Sequence, residues 1–286
     1  MKAHAPAKIN LCLEVLGKRP DGYHEIASVL HTLDLADELS FSPAEMLRLR
    51  CSPPVGPDED NLVVRAARLL QEAAGCDNGA AIALTKRIPV AAGLGGGSSD
   101  AAATLRALNG LWGLRLSREA LAELASRLGS DAPFFLEGGC ALAEGKGERL
   151  TPLAALRGWW AVVLSPPIAL EGKTAKLYGM LTPADYSDGS ATRSLGEKLR
   201  RATARAEDLA GAGNVFERVG DRAFSGLVAY RQAFSVAGAP FVRLSGSGPS
   251  LFTLVESAEE AGRIAAQLRR AGHAAVVALL TEPLSC

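Results

Sequence analysis

The chain has 286 residues, of which 48% are hydrophobic and 22% charged, a composition that excludes a disordered protein and predicts a well-filled core. Lys and Arg number 31, as do Asp and Glu. The net charge of zero argues against a general nucleic-acid or polyanion binder, while a local basic pocket stays possible. The length suits two modest domains or one large α/β unit.

Nothing in the sequence points to export or to a membrane. Apolar runs all fall short of the roughly 18 residues that span a bilayer, and Lys8 and Glu14 interrupt the apolar N-terminal segment, which cannot serve as a signal-peptide core. The cysteines are odd in number and widely spaced, which predicts neither a disulfide framework nor a zinc site. They are Cys12, Cys51, Cys76, Cys140 and Cys286. We expect a soluble cytoplasmic protein.

Alternation of polar and apolar residues at the start of the chain predicts a half-buried strand. Ile9 and Leu11 fall on one face, and Lys8 and Asn10 fall on the other. A glycine turn within 21–26 ends this strand. Apolar runs between turn residues predict further strands, at 29–35, 80–85, 140–143, 160–164, 241–244, 251–255 and 274–280.

Apolar residues at helical spacing predict several helices. Asn61 suits the N-cap of the first, which Gly75 ends, and Ser98 with Ser99 opens the second. Others are expected at 117–128, 173–180, 194–208, 220–235 and 257–271. The elements mix without a regular βαβ rhythm, which favours a two-layer α+β architecture over a doubly wound sheet. Residues 51–60 and 145–158 look like loops, and the second of these places a domain boundary between 1–152 and 153–286.

A glycine-rich segment between a predicted strand and a predicted helix is the strongest chemical signal. Its glycines let backbone approach a ligand closely, and the amides and dipole of the following helix attract anions. A flexible turn is the plainer alternative. The segment lacks the Walker A lysine, and Ser98 stands where a dinucleotide-binding fingerprint needs glycine. We predict a phosphate-binding loop made of Pro89, Val90, Ala91, Ala92, Gly93, Leu94, Gly95, Gly96, Gly97, Ser98 and Ser99.

Three further motifs are weak when each is taken alone. Lys8 and Asn10 in A-P-A-K-I-N project from one strand face about 7 Å apart, although a lysine on an exposed edge strand has the same pattern. Asp131 in G-S-D-A-P follows a helix end, as a turn or N-cap aspartate would. The S-G-S-G stretch at 245–248 lies between two strands and also fits a hairpin turn.

Together these motifs closely resemble those of the GHMP kinase superfamily, the small-molecule kinases related to galactokinase, homoserine kinase and mevalonate kinase. D-G-Y-H at 21–24 resembles the members that phosphorylate a cytidine-diphosphate sugar alcohol in the non-mevalonate route to isoprenoid precursors. The resemblance spans the chain and is weakest between about 150 and 235. It implies an α+β domain like domain 2 of ribosomal protein S5, then a ferredoxin-like domain, with the active site between them.

The resemblance also implies roles for particular residues in phosphoryl transfer. The catalytic pair falls on Lys8 and Asp131, and the ATP loop falls on 89–99. Asp131 suits a proton acceptor for the acceptor hydroxyl, Lys8 would keep that aspartate ionised and stabilise the developing oxyanion, and Asn10 would orient the hydroxyl or the aspartate. Mg²⁺ is expected with ATP, but the sequence identifies no protein ligands for it.

For the cytidine group, the resemblance implies a pocket built on Tyr23 and His24. A second aromatic residue, closing the other face of the base, falls on Tyr178 once the alignment is shifted around 171–172. Stacking suits a flat base, and an imidazole can read its edge, although an exposed Tyr-His pair can arise by chance. Candidate cations for the substrate diphosphate, among which the sequence does not choose, are Lys146, Lys173 and Lys176.

Two rival functions stay open at this point. One is a superfamily kinase for another acceptor, such as homoserine or mevalonate, which would not need Tyr23 and His24. The other is a nucleotide-binding regulator without catalysis, which would have no use for Asp131 facing Lys8. The oligomeric state cannot be read from the sequence.

Overall fold

The structure, a computed structural model, describes residues 1–284, and its first sheet is organised around one long strand. In chain order, the strands described for this sheet are β1 (Lys2–Lys18), β2 (His24–Ala44), β3 (Arg48–Ser52), β4 (Gly79–Thr85), β5 (Cys140–Gly145) and β6 (Arg149–Leu153). One edge of β2 pairs with β1, and its other edge pairs first with β5 and then with β4. The sheet continues through β3 beside β4 and through β6 beside β5.

Side chains on both faces of β1 are buried, so the prediction of a half-buried strand is wrong. Ile9 and Leu11 pack in an apolar core shared with strands of the second sheet. Lys8 and Asn10, on the other face, are each 3% exposed. Both faces are covered because the chain has a second layer of structure on each side of β1. Lys8 is therefore not an exposed edge-strand lysine.

Helices pack on the first sheet and begin and end at the residues that the sequence favours, with one exception. They are α1 (Leu62–Ala74), α2 (Gly96–Leu111) and α3 (Arg118–Leu128). The Asn61 side chain caps α1, and Gly75 ends it in the left-handed region. The exception is α2, which begins before the predicted serines because Gly95, at a φ of 74°, takes the N-cap position. Ser98 and Ser99 therefore lie inside its first turn.

The second half of the chain forms an antiparallel sheet with helices around it. Its strands are β7 (Trp160–Leu164), β8 (Arg243–Leu244), β9 (Leu251–Val255) and β10 (Ala275–Leu279), in the order β10-β7-β9-β8. The helices described are α4 (Lys173–Met180), α5 (Ser190–Arg200), α6 (Ala206–Gly211), α7 (Glu217–Ala223), α8 (Leu227–Val236) and α9 (Ala258–Arg270). This mixture of sheets and helices confirms the predicted α+β class.

Several predicted boundaries are wrong for local reasons. The helix expected at 194–208 is two helices, because the chain breaks at Ala202, which has a φ of 53°. The helix expected at 220–235 is also two, because Gly226 caps α8 at a φ of 84°. The loop expected at 51–60 begins as the end of β3, and the loop expected at 145–158 contains β6. The domain division at 152/153 stays a prediction.

The two halves are joined by backbone hydrogen bonds as well as by apolar packing. In β1, the Leu13 amide donates to Gly213, and the Leu13 carbonyl accepts from Val215. In β2, the Thr32 carbonyl accepts from the amide of Thr281, which follows β10. A buried histidine, His31, precedes Thr32 on β2. The second half of the chain therefore contacts both β1 and β2 through its backbone.

The sequence predicts that the chain has neither a membrane-spanning segment nor a disulfide framework, and both can be checked within residues 1–284. Within that range, no helix combines the length and apolar character needed to cross a lipid bilayer. Cys12, Cys51, Cys76 and Cys140 are free thiols, while Cys286 lies outside the described residues. The expected absence of a disulfide framework and the cytoplasmic location stay predictions.

Candidate active site

Two neighbouring clefts share the glycine-rich loop as a common wall. The smaller has a volume of about 330 Å³ and lies between this loop, the start of α1 and Lys86. The larger, about 760 Å³, lies between β1, the 21–24 turn and α4. Gly93, Gly95 and Ser98 line both clefts. The loop is thus the place where groups bound in the two clefts would meet.

The start of α2 presents unpaired backbone donors to this junction. Gly95 caps the helix, and the first bond of its opening turn runs from the Ser99 amide to the Gly95 carbonyl. The preceding amides, of Gly96, Gly97 and Ser98, have no carbonyl four residues back within the helix. Such amides and the positive end of the helix dipole attract phosphate. This geometry suits the predicted phosphate-binding loop.

The second Gly/Ser loop, residues 245–248, packs directly on the first. The Ser245 hydroxyl donates to the Gly93 carbonyl at 3.0 Å. A Cβ atom on Gly93 would lie 2.3 Å from the Ser245 carbonyl oxygen, so no side chain fits there without moving backbone. The first glycine is therefore required by contact between two loops. Residues 245–248 do lie in the hairpin connection between the antiparallel strands β8 and β9, and they also pack on the glycine-rich loop.

Lys8, Asn10 and Asp131 converge beside this junction, as predicted. Lys8 Nζ donates to Asn10 Oδ1 at 2.7 Å and lies 3.4 Å from Asp131 Oδ2. The Lys8 side chain is 4% exposed and that of Asp131 is 40% exposed. The Lys8 ammonium is therefore buried against Asn10, while the Asp131 carboxylate faces the cleft. Asn10 is fixed in turn, because its Nδ2 donates to the Ser28 hydroxyl at 2.8 Å.

Asp131 has the position of a helix N-cap but not its function. It precedes a short 3₁₀ helix, Ala132–Leu136, and its side chain makes no capping hydrogen bond. Its carboxylate instead pairs with Lys8 across a long sequence separation. The carboxylate is therefore available to accept a proton from a group bound in the larger cleft.

The three residues predicted to contact cytidine all line the larger cleft. His24 stacks on Tyr178 with ring centroids 4.6 Å apart and an interplanar angle of 17°. Tyr23 is 54% exposed, and the Lys146 ammonium lies 4.8 Å from its ring centroid. Among residues 1–284, the described ring contacts thus pair Tyr178 with His24 rather than with Tyr23.

Partial burial favours the uncharged forms of His24 and Tyr178. It lowers the pKa of His24, and the nearby Lys18 charge lowers it further. Burial also raises the pKa of the Tyr178 hydroxyl, as does the Asp131 charge. A neutral imidazole has one donor and one acceptor nitrogen, which matches the mixed donors and acceptors at the edge of a cytosine ring.

The structure separates the three lysines proposed for the substrate diphosphate. Lys146 and Lys173 line the larger cleft, whereas Lys176 is exposed on α4 and is not among the residues that line it. Lys173 donates a hydrogen bond to the Gly248 carbonyl in the second Gly/Ser loop. Lys146 and Lys173 thus lie in one cleft but contact different segments.

Sequence reasoning missed a buried charge cluster behind the glycine-rich loop. Lys86 forms ion pairs with Asp37 and Asp100, and Asp37 is 0% exposed. Asp37 also accepts the backbone amides of Arg87 and Ile88. Burial raises the pKa of Asp100 to about 7, although Lys86 opposes the rise. A charged residue on each side of a glycine-rich loop is a signal that could have suggested this cluster.

The described residues do not assemble a protein cage for a metal ion. Among residues 1–284, no group of three or more His, Cys, Asp or Glu side chains is placed to bind one. Mg²⁺ in phosphate sites takes most of its ligands from phosphates and water.

Comparison with known proteins gives consistent matches. Family models described as GHMP kinases N terminal domain and GHMP kinases C terminal match residues 61–139 and 193–274. A 4-diphosphocytidyl-2-C-methyl-D-erythritol kinase of Dehalococcoides mccartyi (strain ATCC BAA-2266 / KCTC 15142 / 195) is 43% identical over 281 residues, 98% of each chain. A crystal structure of 4-(cytidine 5'-diphospho)-2C-methyl-D-erythritol kinase has a TM-score of 0.82 at 39% identity, covering 98% of this chain and 99% of that one.

The same fold also occurs in a kinase named for another acceptor. A homoserine kinase of Cytophaga hutchinsonii ATCC 33406 has a TM-score of 0.74 at 20% identity, covering 99% of this chain and 95% of that one. The fold alone therefore does not determine the acceptor, and the higher identity to the first two proteins carries that information.

Proposed function

The chain belongs to the 4-diphosphocytidyl-2-C-methyl-D-erythritol kinase family of the GHMP kinases, and on that premise we propose that it transfers the γ-phosphoryl group of ATP to the 2-hydroxyl of 4-diphosphocytidyl-2-C-methyl-D-erythritol. The observation that supports phosphoryl transfer is the Lys8–Asp131 pair, 3.4 Å apart beside the loop shared by both clefts, and the choice of acceptor rests on the 43% identity to the relative named for it. ATP occupies the smaller cleft in this proposal, and the acceptor occupies the larger one.

Each residue of the pair has a distinct task in the transfer. The acceptor hydroxyl becomes a good nucleophile as it loses its proton, and the exposed Asp131 carboxylate is the base that takes it. Lys8 stabilises the charge that develops on the oxygen. Asn10 holds the Lys8 ammonium through its 2.7 Å hydrogen bond. The amides at the start of α2 bind the ATP phosphates.

Magnesium, which we propose accompanies ATP, neutralises phosphate charge. The residues described here offer no protein cage for it, so phosphate oxygens and water would supply its ligands.

The cytidine end of the acceptor binds near the 21–24 turn in this proposal. The exposed Tyr23 ring offers a stacking surface, and His24 offers an edge-reading imidazole whose pKa is lowered by burial. Tyr178 supports His24 by stacking on it.

A coupled assay of ADP release tests the function directly. The panel of acceptors contains 4-diphosphocytidyl-2-C-methyl-D-erythritol, the same sugar alcohol without its cytidine phosphate, homoserine and mevalonate. We expect ADP release with the first acceptor alone, and a product that carries one further phosphate by mass spectrometry. Turnover of homoserine or mevalonate at comparable kcat/KM would reassign the acceptor, and nucleotide binding without turnover of any acceptor would favour the regulator.

A further inference from the structure

Lys173 is a second lysine of the acceptor cleft and is half-buried, and the proposed function gives it no task. It is the first residue of α4, which follows Gly172 in the left-handed region. Its ammonium donates to the Gly248 carbonyl. That carbonyl oxygen would lie 2.9 Å from a Cβ atom on Gly93. Lys173 is therefore one hydrogen bond away from the backbone that packs on the phosphate-binding loop.

The surroundings of Lys173 bring together two cations and one carboxylate. Burial, and after it the Lys8 charge, lower the pKa of Lys173 to about 8, while the Asp131 charge opposes both. Lys8, Asp131 and Lys173 all line the larger cleft, so the three charges act on one another there. An anion entering between the two ammonium groups would relieve their repulsion and favour the charged form of Lys173.

The other two candidate lysines are placed differently. Lys146 lies over the ring of Tyr23, at the end of the cleft assigned to the cytidine group. Lys176, one turn further along α4, is exposed and is not among the cleft-lining residues. Position alone thus associates Lys173 with the reacting end of the acceptor and Lys146 with its remote end.

We propose that Lys173 binds the phosphoryl group during its transfer, as a second cation beside Lys8; this inference rests on the proposed function. In that step the bond from the γ-phosphorus to its bridging oxygen breaks, and a bond from the acceptor oxygen to phosphorus forms. The hydroxyl proton goes to Asp131, and ADP leaves with the bridging electron pair. The transferred group spreads charge over its equatorial oxygens. An ammonium has three donors, of which one bonds to Gly248 and the others can reach such oxygens.

The test compares Lys173→Met and Lys173→Arg with a matched control, Lys176→Met, on the same helix. Steady-state kinetics with both substrates varied give kcat and the two KM values, and thermal melts verify folding. We expect Lys173→Met to lower kcat by about 10²–10³ with less than about a threefold change in the acceptor KM. Lys176→Met should match the unaltered protein. Lys146→Met should raise the acceptor KM more than it lowers kcat.

A pH profile separates a direct charge from a structural role. The kcat/KM of the unaltered protein should fall on a basic limb near pH 8, because kcat/KM reports groups of the free enzyme and Lys173 has a pKa of about 8. Arginine stays protonated there, so Lys173→Arg should move this limb to higher pH. A purely structural lysine would not move it.

Two results would overturn the proposal. One is a folded Lys173→Met variant with unchanged kcat. The other, which decides the matter if the methionine variant does not fold, is a folded Lys173→Arg variant whose basic limb stays near pH 8. Failure of the proposed function looks different, since the unaltered protein would then release ADP with another acceptor of the panel. The same Lys173 variants would in that event be compared on that acceptor.

Discussion

Asp131 is the residue whose replacement tests proton transfer most directly. Asp131→Asn keeps the size of the side chain but cannot accept a proton, so we expect kcat to fall by about 10²–10⁴. The affinity for ATP should change little, because the carboxylate lines the acceptor cleft and not the smaller one. Steady-state kinetics and calorimetric ATP titration measure the two effects. Asp77→Asn, on the exposed surface, is the control, and near-normal kcat for Asp131→Asn would remove Asp131 from the mechanism.

Gly95 tests whether the loop must approach its neighbours closely. A Cβ atom there would lie 2.6 Å from the Phe135 ring and 3.0 Å from Lys8 Cγ. Gly95→Ala should therefore displace the loop and weaken both ATP binding and kcat. Gly113→Ala is the matched control, since Gly113 has a similar φ of +65° but nothing within 4 Å of the added Cβ. Both variants carry the cost of a positive φ, about 1–2 kcal/mol, and equal kinetics for the two would contradict the prediction.

Tyr23 tests the site proposed for cytidine. Loss of a stacking ring costs about 1–3 kcal/mol of binding, so Tyr23→Ala should raise the acceptor KM about tenfold or more while the KM for ATP stays nearly constant. Tyr178→Ala should also raise the acceptor KM, through the loss of its 4.6 Å stack on His24. Competition by CMP should weaken in parallel. Equal effects of Tyr23→Ala on both KM values would leave the site without support.

Residue types and motif spacing were enough to predict the glycine-rich loop and to place Lys8 and Asn10 on one strand face, and the resemblance to the GHMP kinases implied that Asp131 pairs with Lys8. Neither was enough to predict what holds these groups. The Lys86 cluster joins Asp37 and Asp100 from distant segments, and the Lys173 bond to Gly248 spans 75 positions. Lys86 and Asp100 flank the loop in the sequence, but Asp37 and Gly248 reach their lysines only when the sheets are assembled, so no local pattern predicts those two pairings.

At the scale of elements, the Lys86 cluster fixes the end of β4 and the start of α2 against β2. Lys86→Met would leave two buried carboxylates without their cation, which costs about 3–5 kcal/mol. The free energy of unfolding in urea measures this loss. Arg87→Met is the control, because Arg87 pairs with Glu38 at the surface, with side-chain exposures of 56% and 43%, and such pairs contribute under about 1 kcal/mol. A Lys86→Met loss as small as that of Arg87→Met would contradict this account.

Most helices and strands could be predicted because their patterns are local. Cap residues such as Asn61 and Ser117 mark helix starts in the sequence and cap them in the structure. The strand β6 was missed because it contains Pro152, which is tolerated at the edge of a sheet. The breaks at Ala202 and Gly226 were missed because amphipathic periodicity continues across them.

At the scale of the whole molecule, His31 makes stability depend on pH. Its Nε2 accepts the Leu156 amide at 3.0 Å, and its Nδ1 lies 3.0 Å from the Thr32 carbonyl, which requires a neutral ring. Burial lowers its pKa from 6.5 to about 4. The unfolded chain binds a proton below pH 6.5 while the folded chain does not, so stability falls as pH drops from 6.5 towards 4, by about 3 kcal/mol in full.

Urea unfolding between pH 7.5 and 4.5 measures this dependence. His31→Gln removes the titrating group, so its stability should fall less steeply over that range than that of the unaltered protein. His4→Gln, at an exposed position, should keep the original slope. Equal slopes for all three proteins would show that His31 does not titrate in this way.

The wall shared by the two clefts has a consequence for inhibitor chemistry. Because Gly93, Gly95 and Ser98 border both clefts, a phosphate chain passing over the loop can join an adenosine group in one to a cytidine group in the other. Once one end of such a bisubstrate molecule is bound in its cleft, the linker holds the other end near the second cleft at a high effective concentration. The linked molecule should therefore bind more tightly than either group alone. The linker should be short, since the separation it spans is that of two substrates about to exchange one phosphoryl group.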